Sequence, residues 1–172
     1  MHQQLPKDID PVRFAHNGLY LQGQIPLSSM RRLTELLVSS DGEVAVEMQF
    51  DIDETGLPFM RGRFKTSVQL ECERCLSPMT LVLDLQSLLG IVRFEHAVEG
   101  LAEQYEPWVL DDAKTVNPAD VVEDELILAL PIVPKHDFAC LPDEHWQAGE
   151  TEIEVEKPAS PFAVLAALKT KK

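Results

Sequence analysis

The stretch FMRGRFKTSVQLECERCLSPMTLVLDLQSLLGIVRF, residues 59–94, decides the fold. Up to Cys72 its side chains alternate. Gly62, Phe64, Thr66, Val68, Leu70 and Cys72 fall on one face, and Arg61, Arg63, Lys65, Ser67, Gln69 and Glu71 fall on the other. A period of two is what a strand with one buried face requires. A second strand pattern runs from Met79 to Phe94. Between them, Cys72-Glu73-Arg74-Cys75 and Ser77-Pro78 read as a tight corner, so the stretch predicts a long hairpin.

Working outward, EVAVEMQFDID (43–53) alternates strictly, with Val44, Val46, Met48, Phe50 and Ile52 on one side. The turn ETGLP joins it to the hairpin, and three consecutive strands with short links predict an antiparallel meander. GLYLQGQIP (18–26) adds a strand, stopped by proline. LSSMRRLTELLVSS predicts a helix near 28–38, capped by Ser28 or Ser29, with Met30, Leu33, Leu36 and Leu37 on one face. AVEGLAEQYE (97–106) reads as a loop, and YEPWVLDD as a short edge strand around Pro107. NPADVVEDELILALP predicts a helix over 118–130, with Asn117 as cap and Pro118 in its first position, ending at Pro131. The expected class is α+β: a barrel-like antiparallel sheet covered by two or three helices. Phe50, Phe64, Val68, Leu70, Leu81, Leu83, Leu126 and Leu130 are its predicted core. The expected domain spans 1–140. An acidic linker over 141–159 and a short C-terminal helix with a basic end, 160–172, follow it.

The net charge of −14 is uneven. Residues 1–96 carry 9 basic and 13 acidic side chains; residues 97–172 carry 6 and 16. Such a balance opposes broad phosphate neutralisation and favours solubility or the steering of a basic partner. No apolar run approaches the roughly 20 residues that span a bilayer, and MHQQLPKDIDPVRF lacks the apolar core of a signal peptide. A reducing cytoplasm suits the odd count of 3 cysteines. No Gly-rich phosphate loop or nucleophile beside an orienting base is visible, so no enzymatic activity is expected.

Three readings of the cysteine corner stay open. A redox dithiol needs a helix N-terminus to lower its thiol pKa, and a strand follows instead. A zinc knuckle suits a turn between strands. It requires two further ligands, for which His136 and Cys140 in HDFAC are the candidates. In the third reading Cys72 is a small apolar residue, Cys75 caps the turn, and His136 and Cys140 are loop neighbours. Arg61, Arg63 and Lys65 fall near Asp51, Gln49 and Glu47 if 54–58 is the hairpin loop, and cross-strand pairing explains the stripe without a ligand. Arg31 and Arg32 read as the solvated side of a helix. Glu123, Asp124 and Glu125 cannot all point inward from consecutive helical positions, so at least two are expected to face solvent.

LECERCLSPM (70–79), AEQYEPW (102–108), VVEDELILALPIVPKHD with Cys140, SPFAVLAALK (160–169) and IDPVR (9–13) together resemble the YceD family. These are the large ribosomal RNA subunit accumulation proteins of bacteria and plastids. The resemblance runs nearly end to end, and Glu123–His136 is its most specific block. It implies a cytoplasmic, non-catalytic factor supporting synthesis, processing or stability of large-subunit (23S) rRNA. Two acts fit that role. One is capture of a basic ribosomal protein or assembly factor through Glu123, Asp124, Glu125, Phe162, Leu165 and Leu168. The other is direct binding of precursor rRNA through Arg61, Arg63, Lys65 and Arg74, assisted by Lys169, Lys171 and Lys172. A zinc-knuckle regulatory module unrelated to ribosomes is the alternative, with Cys72, Cys75, His136 and Cys140 as ligands. Neither a membrane nor a small-molecule substrate is expected.

Overall fold

The computed structural model describes residues 5–110 and 113–142. By its contacts the chain divides into two units, Met1–Phe138 and Ala139–Lys172. The linker and terminal helix expected beyond residue 142, with Phe162, Leu165 and Leu168, lie outside the described residues.

Among the described residues, β1 (Tyr20–Pro26), β2 (Glu43–Ile52), β3 (Pro58–Glu71), β4 (Pro78–Val92) and β5 (Glu106–Val109) form one sheet in the order β1-β2-β3-β4-β5. The meander is antiparallel, with Phe64 opposite Val46 on one side and Leu85 on the other. Two expectations are corrected. The sheet is open, with β1 and β5 as its edges, so it is not barrel-like. The expected edge strand is present as β5, but it runs parallel to β4. A parallel neighbour needs a crossover. Here residues 93–105, including a 3₁₀ stretch at Glu95–Gly100, carry the chain back along the sheet.

The alternation sorts side chains as expected. Val44, Val46, Met48 and Phe50 from β2, and Met60, Phe64, Val68 and Leu70 from β3, are buried; Arg61, Arg63 and Lys65 face out. Gly62 belongs to the inner face because the Phe64 ring lies over it. A Cβ there would stand 2.5 Å from Phe64 Cζ. Phe50, Phe64, Val68, Leu70, Leu83 and Leu126 are core; Leu81 and Leu130 are only partly buried and pack against it.

Among the described residues three helices cover the inner face: α1 (Pro11–His16), α2 (Arg31–Thr34) and α3 (Pro118–Ala129). The sequence reading did not foresee α1. The Asp10 side chain caps it by accepting from the Arg13 N–H, and Pro11 opens it. Phe14 from α1 meets the Phe50 ring edge-on at 5.5 Å. α3 follows its signals closely: the Asn117 side chain accepts from the Ala119 N–H, and the helix stops two residues before Pro131.

The helix expected near 28–38 shrinks to a 3₁₀ turn at Leu27–Ser29 and the single turn of α2. Met30, with φ −95° and ψ 89°, breaks the run, so Ser28 and Ser29 cap nothing in α2. At the other end the Val38 N–H is taken by Gln69 O, and Ser39 bridges Gln69. β3 extends past the end of β2, and this segment satisfies its free edge instead of continuing a helix. Leu27, Met30 and Leu33 are buried, whereas Leu36 is exposed.

Candidate functional site

β3 ends at Glu71, and six residues fold back so that β4 begins at Pro78. The Cys72 N–H donates to Ser77 O (3.0 Å) and the Leu76 N–H to Cys72 O (2.8 Å). Leu76 takes φ 57°, the one positive φ at a non-glycine among the described residues. For a leucine that conformation costs on the order of 1–2 kcal/mol, so the surroundings must enforce it.

Residues 131–138, downstream of α3, cross this corner as an extended strap. The Glu73 N–H donates to Pro134 O (2.8 Å), and the Arg74 guanidinium donates to His136 O (3.0 Å) and to Phe138 O. Pro131 and Pro134 favour extended backbone before them, which delivers His136 to a fixed place. His136 Nδ1 lies 3.5 Å from Cys75 Sγ. The ligand atoms of Cys72, Cys75 and His136 all lie within 4.8 Å of one another, and Cys140 follows His136 by four positions in the sequence. The group is near enough to hold a metal ion. Cys72 is buried and the other three are half-buried; none of the three cysteines is in a disulfide. Desolvation opposes ionisation of Cys72. The N–H groups of His136, Cys75 and Arg74 and the Cys75 side chain outweigh it, and the thiol is lowered to about 5.

The remaining candidates are engaged within the fold. Glu123 is buried: Oε1 accepts from the Arg32 and Leu33 N–H groups (2.7 and 3.0 Å), and Oε2 from Arg32 Nε and Nη2 (3.2 and 3.0 Å). Those two N–H groups belong to the first turn of α2, where Met30 supplies no side-chain cap. Glu123 caps α2 from across the structure. Arg32 also pairs with Asp124, so its reading as a solvated bystander is corrected. Glu125 is half-buried and accepts from the Ser87 hydroxyl. Burial pushes its pKa up, with Glu106 and Asp124 adding to the rise and the Ser87 hydrogen bond opposing it. Only Asp124 of the three acids is exposed, so the expectation that two would face solvent is overturned.

The cations are arranged differently from the expectation as well. Arg63 faces Glu47, but its guanidinium grips Asp84 of β4 with both arms (3.0 Å each), and Lys65 reaches the same carboxylate at 3.4 Å. Arg61 lies opposite Gln49 rather than an acid. Arg74 holds the strap.

Sequence reasoning missed an apolar surface. Leu128, Ile132, Val133 and Phe138 are all exposed, Ile132 at 99% of its surface, and Leu76 is exposed at the corner. The available signal was the apolar pair Ile132-Val133 placed directly after the helix-stopping Pro131.

A model of the family described as "Large ribosomal RNA subunit accumulation protein YceD" matches residues 60–169. The chain belongs to the YceD family. A relative from Haemophilus influenzae, named "Large ribosomal RNA subunit accumulation protein YceD", is 33% identical over 174 residues, covering 97% of each chain. The YceD match spans β3, the corner, α3 and the strap. Its name states an effect on RNA accumulation and no reaction. No solved structure matches the chain. Among the described residues no helix is long and apolar enough to cross a membrane.

Proposed function

We propose that this protein supports accumulation of large-subunit ribosomal RNA in the cytoplasm without catalysing a reaction, by holding a basic ribosomal protein or assembly factor. The family name carries the link to large-subunit RNA. The observation that favours a protein partner is the contrast between two surfaces. On the face proposed for RNA, Arg63 and Lys65 are engaged by Asp84, and Arg74 by carbonyls of the strap. The end of α3 and the strap, in contrast, present Leu128, Ile132, Val133 and Phe138 to solvent. Apolar anchors ringed by polar groups are what a protein interface needs, whereas RNA binding needs cations available to phosphates.

A chain of net charge −14 attracts a basic partner and repels a polyanion. Asp124, exposed beside α2 and paired there with Arg32, is the acid of the helical trio that faces solvent. The acidic sequence beyond residue 142 would hasten the encounter, and Phe162, Leu165 and Leu168 are proposed as further anchors.

The test measures binding of the full chain to a basic large-subunit ribosomal protein and, separately, to a large-subunit rRNA fragment over a salt series. The expected result is binding to the protein, weakened more than about tenfold by Ile132→Asp with Val133→Asp, the scale at which a truncated interface anchor registers. Arg61→Glu with Arg63→Glu should leave it nearly unchanged. RNA binding whose salt slope falls by about one per lost cation would replace this reading with direct recognition.

A further inference from the structure

We propose that Cys72, Cys75 and His136, with Cys140 four positions further along the sequence as the fourth ligand, form a closed, structural zinc site that clamps the strap to the tip of the β3–β4 hairpin. This inference rests on the geometry of the corner and is independent of the identity of any partner.

Four observations converge. The first is the donor set, three sulfurs and one imidazole, which is soft, and in tetrahedral form it selects zinc. The second is spacing. Zinc bonds of about 2.3 Å to sulfur and about 2.0–2.1 Å to nitrogen, at tetrahedral angles, separate a sulfur and a nitrogen ligand by roughly 3.6 Å. Cys75 Sγ and His136 Nδ1 stand 3.5 Å apart. Two sulfur ligands would be roughly 3.8 Å apart, and every pair among Cys72, Cys75 and His136 lies within 4.8 Å. The atoms need close by no more than about 1 Å to share one ion. The third is the local backbone. The corner closes through the Cys72 N–H to Ser77 O (3.0 Å) and the Leu76 N–H to Cys72 O (2.8 Å), and Leu76 is held in the left-handed region. Two thiolates separated by two residues on so tight a turn can both face one tetrahedral ion.

The fourth observation is what the strap lacks. Ile132, Val133 and Phe138 are exposed, yet the strap is laid on the corner through three backbone carbonyls, those of Pro134, His136 and Phe138. A segment without apolar burial needs another source of order, and a metal joining it to the hairpin supplies one. Four protein ligands leave no open position, so the ion would be structural rather than catalytic. On binding Zn²⁺ the cysteines coordinate as thiolates, any thiol protons passing to solvent, and no electron is transferred.

The test is elemental analysis and native mass spectrometry of the full chain, purified under reducing conditions without a metal-binding tag. One zinc per chain is expected. Cobalt(II) added to the chelator-stripped protein should give the visible bands of a four-coordinate cobalt–thiolate site. His136→Asn, on the exposed strap, should weaken zinc binding by more than the roughly 10–100-fold that losing an outer-shell partner costs. His96→Asn, stacked on Phe94 elsewhere, should retain full stoichiometry. If Cys72→Ser fails to fold, wild-type cobalt titration and His136→Asn still decide. The proposal is overturned if the reduced protein carries no stoichiometric zinc and gives no cobalt bands, or if Cys75→Ser and His136→Asn both bind zinc as tightly as wild type.

Discussion

β3 leaves one tight turn and enters another, and the two are completed by different means. At residues 53–57 the chain satisfies its own groups. Asp53 Oδ1 accepts from the Thr55 N–H, the Thr55 hydroxyl and the Leu57 N–H at 2.6–2.9 Å, while Oδ2 accepts from the Tyr105 hydroxyl at 3.1 Å. The Thr55 side-chain bond outweighs desolvation, and together with the Leu57 and Tyr105 bonds it lowers the Asp53 pKa. At residues 72–77 the gathered atoms are sulfurs and an imidazole, the crossing strap is held by carbonyls, and the nearby apolar side chains face solvent. One end is finished within the chain. The other gathers metal-ligand atoms and exposed apolar side chains that its own turn does not cover. That contrast is why the proposed function is placed at the corner end of the hairpin.

Predictions that break or sharpen this contrast run from large to small. Phe64→Ala, midway between the ends, should cost about 3–5 kcal/mol because the ring is fully buried over Gly62. Denaturant unfolding would measure it, and the loss should be the same with and without chelator. A chelator-dependent loss at Phe64 would mean that the core and corner are not separable. Glu123→Gln should cost about 1–3 kcal/mol, since the amide keeps one acceptor but loses the charge that serves two N–H groups and Arg32. An unchanged midpoint would remove Glu123 as the cap of α2.

Asp53→Asn tests the finished end through pH. A folded pKa below the unfolded value of about 3.9 contributes stability fully present above that value and lost as pH falls through the folded pKa. Wild type should therefore exceed Asp53→Asn by a constant margin from neutral pH to about pH 5, and the margin should shrink below about pH 4. A margin independent of pH would show that the carboxylate charge is irrelevant to the turn. The smallest effect belongs to Glu125. Its raised pKa means that protonation favours the fold: that contribution is present below the unfolded value of about 4.3 and lost as pH rises through the higher folded one. Glu125→Gln should leave stability equal or slightly raised at pH 7, with the gain gone by about pH 4. Thermal melts at the two pH values would show it, and a loss at pH 7 would contradict the sign.

The sequence revealed most where signals were local. Strict alternation in 43–53 and 59–72, and the Pro-Gly signals of ETGLP, placed β2, β3 and their turn within a residue or two. The close spacing of Cys72 with Cys75, and of His136 with Cys140, made the cluster visible as two half-sites. What joined them was invisible from spacing, because about sixty residues intervene. Glu123 was misread for the same reason: its partner is Arg32, 91 positions away, and an acid on a helix reads as solvated until that partner is known. Around α2 the leucine spacing was real but misleading. Met30 leaves helical geometry, and the edge of β3 draws Val38 away. Pro107 marked an edge strand, but four residues carry no sign of its direction.

The most direct test of where function lies is the ratio of large- to small-subunit rRNA in cells lacking this protein and supplied with one version of it. The versions are wild type, Ile132→Asp with Val133→Asp, and Arg61→Glu with Arg63→Glu, each at matched protein abundance. The account predicts that wild type and the arginine variant restore the ratio while the strap variant does not. Full restoration by the strap variant, with failure of the arginine variant, would contradict it and move the functional surface to the open face of the sheet.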